Sequence, residues 1–436
     1  MTVHDGREGN ARSAQERINI MQQNKLIRYI FSGALVLAIG FVALLGIYDF
    51  VLPDRISCRT DSAVPTYFGL RYAEEEAFSD DAKPAVLSST DTAVQTISGQ
   101  TNLQLFGLIP LKTVQVARYS SDIRLCPGGM PFGVKLYTDG ILVIGFEDVD
   151  SETGMVNPAY AAGLREKDII THLNGSPLNS VEMLTALIES SGGAPITVTY
   201  TRGGVEYSTT ITPVCSRNDG RYKTGMWVRD SGAGIGTVTF IEPKTGEFGG
   251  LGHGICDIDT GELMPMQRGI VVDVTINGVV RGAAGAPGEL RGSFLSNKCG
   301  ALLGNTNCGV YGVFSSLPES TPDEAIPIAL RDEIHTGKAH IRCTLDESGP
   351  QTYEIEILSI NKSAAGAKNF VIKVTDPVLL EKTGGIVQGM SGSPIIQDGK
   401  LAGAVTHVLI NDPTRGYGIF IENMLDAAQI PMAEAS

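Results

Sequence analysis

A run of twenty residues near the start of the chain, from Tyr29 to Tyr48, is mostly apolar and contains no charge. A helix of that length measures about 30 Å, the thickness of the apolar core of a bilayer. Lys25 and Arg28 precede the run. Because basic flanks stay on the cytoplasmic side, the pattern predicts a cytoplasmic tail over 1–28, a transmembrane anchor over 29–48 and an exported remainder. A cleaved signal peptide is the alternative, although its apolar stretch normally has about 7–15 residues.

Shorter alternating segments follow the predicted anchor. Residues 49–100 are polar, with acidic clusters and a Ser/Thr-rich stretch that are typical of a linker. Apolar residues return between Leu103 and Val116 in two strand-like pieces separated by Pro110, which predicts a small β element. The exported part is therefore predicted to comprise a linker with this β element and two further β-rich domains: 49–125, 126–215 and 216–436.

The first of these two domains alternates short strands with helices. A Thr-Asp-Gly sequence at 138–140 and an Asn-Gly pair at 174–175 predict tight turns, the first of them in a hairpin. Apolar residues recur at helical spacing from Ser180 to Glu189 and predict an amphipathic helix with Ser180 as its N-cap. This order resembles a PDZ domain. The motifs that carry the resemblance are Pro158-Ala159, Ala162-Gly163-Leu164, Asp168-Ile169-Ile170 and Asn174-Gly175.

A PDZ domain binds an extended peptide by adding it to the edge of a sheet. The resemblance implies that a loop receives a peptide carboxylate, or an internal turn that imitates one, on its backbone N–H groups. The residues in that position are Pro131, Phe132, Gly133 and Val134, which depart from the usual Gly-Leu-Gly-Phe. A purely structural β module is the alternative.

Composition excludes several classes of protein. Lys and Arg number 34 and Asp and Glu 48, which gives a net charge of −14; nucleic acid is an unsuitable partner, because its phosphates require clustered positive charge. Glycine is abundant, 52 of 436 residues, and aromatic residues are only 6%, which favours a mainly β chain of short strands and tight turns. The seven cysteines include no C-x2-C pair, so no structural zinc site is predicted.

Candidate chemistry lies in the last third of the chain. The sequence Gly389-Met390-Ser391-Gly392-Ser393-Pro394 matches G-x-S-G-x-P, the nucleophile loop of chymotrypsin-fold serine peptidases. Glycine permits the backbone that turns the N–H groups of Gly389 and Ser391 toward one point, where they form an oxyanion hole. Ser391 beside this hole is the predicted nucleophile. Ser393 is the alternative, although it holds the place of the small residue before proline.

A nucleophilic serine needs a base, and the chain has six histidines. His253 lies among small residues at the end of a predicted strand, where its side chain can face a cleft, and is the predicted base. His407 follows Ser391 by sixteen residues in an apolar segment and is the alternative. The other histidines fall in the tail, the PDZ-like domain or a polar stretch: His4, His172, His335 and His340. The candidates for the third member of a triad are Asp257, Asp259, Asp273 and Asp376.

Longer segments extend the resemblance to a family. They are TGEFGGLGHGI, FVIKVTDP, LEKTGGIVQGMSGSPIIQDGKLAGAVTHV and NDPTRGYGIFIE. From about Leu103 onward the chain closely resembles the stage IV sporulation protein B family, the signalling serine peptidases of endospore-forming bacteria. The resemblance implies a chymotrypsin-like double β-barrel after a PDZ domain, with His253 and Ser391 as the catalytic pair and Asp376 as the acid. It implies two-step acyl transfer without a metal or an organic cofactor.

The same resemblance implies a biological role. Members of the family are made in the forespore and exported to the space between the two spore membranes. They cleave themselves near the N-terminus and then cut a membrane-bound regulator, stage IV sporulation protein FA, which triggers processing of the sigma-K precursor. The expected partners are this regulator, the chain itself, a PDZ-bound peptide and the membrane. The polar stretch over 49–100 suits self-cleavage, because an extended chain fits a protease cleft.

Two other functions stay open at this point. One is an envelope quality-control protease that carries a PDZ domain, although such enzymes place the protease before the PDZ domain. The other is a non-enzymatic PDZ scaffold whose Ser391 loop is vestigial. Digestion of unfolded proteins would distinguish the first, since a signalling enzyme should spare nearly all of them.

Overall fold

The computed structural model describes residues 32–37, 39–43, 46, 52, 54–59, 70–72, 85–86, 95–119, 123–364 and 366–428. Residues 32–37, 39–43 and 46 are helical. Within the described part of the chain, no helix is both long enough and apolar enough to cross a membrane. The predicted tail over 1–28, and parts of the predicted anchor and linker, lie outside the described residues.

Strands dominate the described residues. In chain order they are β1 (Arg55–Arg59), β2 (Leu70–Tyr72), β3 (Ala85–Val86), β4 (Gln95–Leu105), β5 (Ile109–Tyr119), β6 (Arg124–Pro127), β7 (Pro131–Phe146), β8 (Val149–Ser151), β9 (Gly154–Val156), β10 (Ile169–Leu173), β11 (Ser176–Pro177), β12 (Ile196–Arg202), β13 (Val205–Ile211), β14 (Val214–Cys215), β15 (Tyr222–Lys223), β16 (Met226–Ile241), β17 (Glu247–Gly250), β18 (Met266–Val280), β19 (Glu289–Thr306), β20 (Gly309–Phe314), β21 (Ile326–Pro327), β22 (Gly337–Cys343), β23 (Gln351–Ile360), β24 (Phe370–Val374), β25 (Pro394–Gln397), β26 (Lys400–Leu409) and β27 (Asp412–Phe420). The helices are α1 (Pro158–Ala161), α2 (Val181–Ser190), α3 (Pro377–Thr383) and α4 (Ile421–Ala428).

The chain forms two compact units. One comprises the described residues within 1–56, 63–82 and 98–117, and the other comprises those within 57–62, 83–97 and 118–436. In the second unit, β3 pairs with β4 through Ala85 opposite Thr96 and Val86 opposite Gln95. In the first unit, β2 pairs with β4 in antiparallel register from Leu70 opposite Leu105.

The larger unit contains two closed rings of six strands. In the first ring, β7, β18, β19, β20, β17 and β16 pair in succession, and β16 returns to β7. The second ring is a closed barrel in the order β22-β23-β24-β27-β26-β25. In β22 the buried Ala339, Ile341 and Cys343 alternate with more exposed residues, the period of two that one buried face requires. Each ring thus encloses its own apolar core.

A third core lies in residues 141–228, the PDZ-like unit, which contains α1, α2 and strands β10, β12 and β13. The predicted helix over 180–189 is present as α2, where the Ser180 hydroxyl accepts from the Met183 N–H at 3.2 Å. This unit is inserted between β7 and β16, because the first half of β7 belongs to the first ring and its second half pairs with β10. The core of the first ring accordingly begins before the PDZ-like unit, and the predicted boundary at 126 does not separate the two cores.

The predicted hairpin at 138–140 is wrong. Thr138, Asp139 and Gly140 lie within the continuous strand β7, where Thr138 pairs with Met266. The Asp139 N–H donates to the Pro265 carbonyl at 3.1 Å. The turn residues are therefore held in a strand by partners more than a hundred positions away in the chain.

The predicted peptide-binding loop of Pro131, Phe132, Gly133 and Val134 is also wrong. These residues form the start of β7 and pair with β16, and Gly133 and Val134 also pair with β18 on the other edge. Phe132 and Val134 are each only 2% exposed, and their side chains pack in the core of the first ring. Backbone groups that are paired within a ring cannot receive a peptide carboxylate.

Candidate active site

The loop that carries Ser391 runs from the end of α3 to the start of β25 and is fixed by strands of both rings. In the first ring, the Thr237 N–H donates to the Ser391 carbonyl at 2.9 Å, and the Thr239 hydroxyl donates to the Gly392 carbonyl at 2.7 Å. In the second, the Val405 carbonyl accepts from the Gly392 N–H at 2.7 Å. The nucleophile loop is therefore placed between the two rings by backbone contacts on both sides.

Gly392 shows why this loop needs glycine. Its φ is +96°, and a Cβ there would lie 1.9 Å from the Thr237 carbonyl oxygen and 2.5 Å from the Leu251 nitrogen. Any side chain would separate the loop from both segments. Gly392 thus brings the Ser391 loop against the turn that precedes His253.

That turn directs His253 toward β26. Leu251 and Gly252 have φ of +64° and +68°, and a leucine in this left-handed region is strained. A Cβ on Gly252 would lie 2.9 Å from Cγ2 of Thr406. His253 therefore follows a turn packed on the strand that lies beside Ser391.

The His253 ring is oriented by its own backbone neighbourhood. Nδ1 lies 2.9 Å from the Gly254 carbonyl oxygen, and because a carbonyl can only accept, Nδ1 carries the proton and Nε2 is left with a free lone pair. Burial lowers the pKa of His253, and the hydrogen bond to Gly254 offsets part of that effect. The imidazole is therefore neutral at pH 7 and is a suitable base.

His407 lies next to His253, with 4.9 Å between ring centroids. Burial, followed by the charges of His253 and Lys368, lowers the pKa of His407 to about 4. Its Nδ1 is buried and has no hydrogen-bond partner among the described residues. A group with so low a pKa is a weak base near neutral pH, so the two-histidine arrangement favours His253 as the base.

The Ser391 hydroxyl is half-buried and donates to the Thr406 carbonyl at 2.7 Å. Its proton is thus held by a backbone oxygen, and rotation of the side chain is required before a histidine can take it. The Ser393 side chain is completely buried and donates to the Met390 carbonyl at 2.7 Å. Burial excludes Ser393 as the nucleophile and leaves Ser391.

The N–H groups of Gly389 and Ser391, predicted to form the oxyanion hole, make none of the hydrogen bonds found among the described residues. The neighbouring carbonyl oxygens, by contrast, are occupied: the Gly389 oxygen accepts from the Thr237 hydroxyl at 2.8 Å. Free donors on a loop whose acceptors are paired are what the stabilisation of an oxyanion requires.

Asp376 does not contact His253, and its assignment as the triad acid is corrected. It is the N-cap of α3, where Oδ1 accepts from the N–H groups of Val378 and Leu379 at 2.9 and 3.0 Å. Oδ2 accepts from the Glu354 N–H at 3.2 Å. The other candidate acids are also committed elsewhere: Asp257 and Asp259 to Arg229, and Asp273 to Asn297. The group that holds the imidazole in this structure is the Gly254 carbonyl, for which the sequence carries no signal.

The cap role of Asp376 gives a testable expectation. Asp376→Asn and Asp376→Ser keep a good N-cap and should retain activity within about threefold, whereas Asp376→Ala should lose about 1 kcal/mol of stability and disturb the loop that follows α3. A triad acid would instead lose about 10⁴-fold in kcat on replacement by Asn. Peptidase rates and thermal midpoints of the three variants separate these roles, and a 10⁴-fold loss in Asp376→Asn would restore the triad assignment.

Within the described chain, no cluster of three or more His, Cys, Asp or Glu side chains is arranged to hold a metal ion. Cys58, Cys126, Cys215, Cys256, Cys299 and Cys343 are free thiols.

A separate groove of about 370 Å³ lies in the PDZ-like unit. One wall is α2, with Leu184 and Ile188, and another is the start of β16, with Trp227 and Val228. In this region the described pairings of β16 are with β7 only, so its other edge is unpaired. The acidic residues in the lining are Glu147, Asp148 and Asp150.

Comparison with known families identifies the catalytic part. Residues 220–425 match the family model described as SpoIVB peptidase S55. The S55 match contains both His253 and Ser391, and the protein is a serine endopeptidase. A search of curated proteins found no match.

The solved structures to which this chain is similar include three of bacterial proteins. The PDZ domain of the SdrC-like protein from Listeria monocytogenes is 22% identical and aligns with 21% of this chain and 87% of its own, at a TM-score of 0.18. The active form of the Rv3671c protease from M. tuberculosis is 13% identical. The alignment covers 47% of this chain and 76% of that protein, with a TM-score of 0.27. A serine endoprotease from Yersinia pestis is 15% identical. The alignment covers 45% of this chain and 58% of that protein, with a TM-score of 0.26.

Proposed function

We propose that this S55 peptidase is a membrane-anchored signalling enzyme of sporulation. It is made in the forespore, with its catalytic part in the space between the two spore membranes. There it cleaves itself in its N-terminal region and then cuts a membrane-bound regulator similar to stage IV sporulation protein FA, so that the sigma-K precursor is processed. The observation that carries the peptidase part is the Ser391 loop, which is fixed between two six-stranded rings and packed on the turn that precedes His253. We assign this arrangement to the chymotrypsin-like double β-barrel.

The geometry supports a two-step acyl transfer. The Ser391 side chain rotates and breaks its hydrogen bond to the Thr406 carbonyl. Oγ then transfers its proton to Nε2 of His253 and attacks the peptide carbonyl. The oxyanion accepts hydrogen bonds from the N–H groups of Gly389 and Ser391. The imidazolium stays hydrogen-bonded to the Gly254 carbonyl and then protonates the leaving amine. Water, activated by the same histidine, releases the acyl group and restores Ser391.

The signalling role is tested by substrate choice. The full chain in detergent is incubated with membranes that carry the regulator of the same organism and, separately, with reduced casein. The proposal expects discrete cuts in the regulator and near-complete sparing of casein by the parent chain, whereas Ser391→Ala should cut neither protein. Casein degradation at a comparable rate would favour the quality-control protease, and intact regulator would favour the scaffold.

We also propose that the groove in the PDZ-like unit binds an extended peptide along the unpaired edge of β16. The apolar side chains of Leu184 and Ile188 suit apolar residues of such a peptide. Lys223 lines the groove but pairs with Asp219 at 2.7 Å, so the remaining charge of the lining is acidic. The lining thus favours an internal segment with Lys or Arg over a free C-terminal carboxylate.

Trp227 makes this binding measurable, because it lines the groove, is 58% exposed and is the one tryptophan of the chain. We expect an amidated decapeptide of alternating Val and Lys to shift its fluorescence with at least about tenfold tighter Kd than the same peptide with Glu, since nearby carboxylates repel the latter. Asp150→Lys should reduce the ratio of the two Kd values. Glu206→Lys, on a strand outside the groove lining, should leave that ratio unchanged. Equal affinity for both peptides would contradict the proposal.

A further inference from the structure

Ser393 is held in a manner that its place in the motif does not require. It lies two residues after the nucleophile and is completely buried. Its hydroxyl and its N–H both donate to the Met390 carbonyl, at 2.7 and 2.9 Å. Two donors from one residue thus fix the direction of a single carbonyl group.

That direction determines the direction of another group. A peptide unit is planar, and in the trans form its C=O and N–H point to opposite sides. None of the described peptide bonds is cis. The Met390 carbonyl shares its plane with the Ser391 N–H, so the two Ser393 donors set where that N–H points.

The neighbouring planes are fixed from the first ring. Thr237 donates its hydroxyl to the Gly389 carbonyl at 2.8 Å and its N–H to the Ser391 carbonyl at 2.9 Å. The Gln388 carbonyl, which shares a plane with the Gly389 N–H, accepts from the Leu290 N–H at 2.8 Å. Every peptide plane from Gln388 to Gly392 is therefore held by a donor.

We propose that the hydroxyls of Ser393 and Thr237 are positioning groups of the oxyanion hole. Ser393 aims the Ser391 N–H, and Thr237 holds the planes on either side of it. This inference rests on the proposed role of the 389–393 loop. Donors of this kind act only when held within about 0.5 Å and 10–20° of the productive geometry, and loss of one donor costs about 10²–10³ in kcat. Loss of a positioning hydroxyl should cost less, about tenfold to a hundredfold.

The chain offers a matched control. The Thr344 hydroxyl is buried and donates to the Gly129 carbonyl at 2.9 Å, outside the nucleophile loop. Ser393→Ala, Thr237→Val and Thr344→Val each remove one hydroxyl bonded to a backbone carbonyl. A structural role alone would make the three variants behave alike.

The test measures inactivation of the full chain by a peptidyl fluorophosphonate, which forms a tetrahedral adduct on the nucleophile. We expect kinact to fall about tenfold to a hundredfold in Ser393→Ala and Thr237→Val, with KI unchanged, and to stay within twofold in Thr344→Val. Comparable thermal midpoints would show that all three are folded. If Ser393→Ala and Thr237→Val both retain kinact within twofold, or lose it only as Thr344→Val does, the proposal is overturned.

A second measurement separates this inference from the peptidase mechanism. In protein labelled with ¹⁵N-serine, the Ser391 amide signal should shift in Ser393→Ala and stay in place in Thr344→Val, whether or not the reagent reacts. If the parent chain is not labelled by the fluorophosphonate, the proposed mechanism fails, and the amide signal still decides the positioning role. An unmoved Ser391 amide in Ser393→Ala would overturn it.

Discussion

Replacement of Ser391 by alanine is expected to abolish self-cleavage and all other peptide hydrolysis, with a loss in kcat on the order of 10⁶. The hydroxyl is the only part of the loop that can form the acyl bond, because the nearby Ser393 hydroxyl is completely buried and bonded to Met390. A time course of the full chain, read by product mass, should show parent fragments ending within 49–125 and an intact Ser391→Ala chain.

Ser363→Ala is the control for this experiment, since Ser363 carries an exposed hydroxyl that bonds only to Asn361 among the described residues. It should be trimmed like the parent. Trimming of Ser391→Ala at the parental rate would show that another residue or another protease acts. If the parent also stays whole, a partner triggers the enzyme or the chain is a scaffold, and the regulator assay described above decides between them.

Replacement of His253 by alanine is expected to lower kcat/KM by about 10⁴-fold or more, since a serine without its base keeps only the contribution of the oxyanion hole and of binding. His407→Ala should retain activity within about tenfold, because its pKa of about 4 makes it a weak base. Steady-state rates on one peptide substrate compare the two variants directly. The reverse order of losses would assign the base to His407.

The pH profile gives a second readout of His253. The base works only when neutral, and burial lowers its pKa below the ordinary value of about 6.5. Activity should therefore be retained as pH falls through 6.5 and decline only at lower pH. An acid limb of kcat/KM centred above 6.5 would show that the imidazolium is stabilised, as a carboxylate partner would do, and would contradict the Gly254 arrangement.

Local patterns in the sequence predicted those features that depend on residues close together in the chain. The apolar spacing from Ser180 to Glu189 gave α2 and its cap, and the glycine-rich motif located the loop whose Gly392 packs on the turn before His253. The continuous strand β7 could not be predicted in this way, because Thr138 is paired with Met266 and not with a neighbour in sequence. A turn sequence states only what the backbone tolerates, and distant pairing overrides it.

The prediction of the triad acid is wrong for a different reason. The family resemblance assigns Asp376 to the triad, whereas a local signal in the sequence indicates its observed role. Asp followed by Pro377 is a typical helix start, with an N-cap carboxylate and proline at the first helical position. The Gly254 carbonyl that holds His253 could not have been found, since a backbone group has no residue type to recognise.

The insertion of the PDZ-like unit between β7 and β16 has a consequence for dissecting the protein. Both strands belong to the first ring, so truncation at either end of the unit would remove a ring strand together with it. Tyr137 on β7 is paired directly with Ser231 on β16, and these two positions enclose the whole unit. A two-residue turn that joins them would close the ring as a hairpin. A minimal peptidase is therefore obtained by internal replacement of residues 138–230, and not by shortening the chain from its N-terminus.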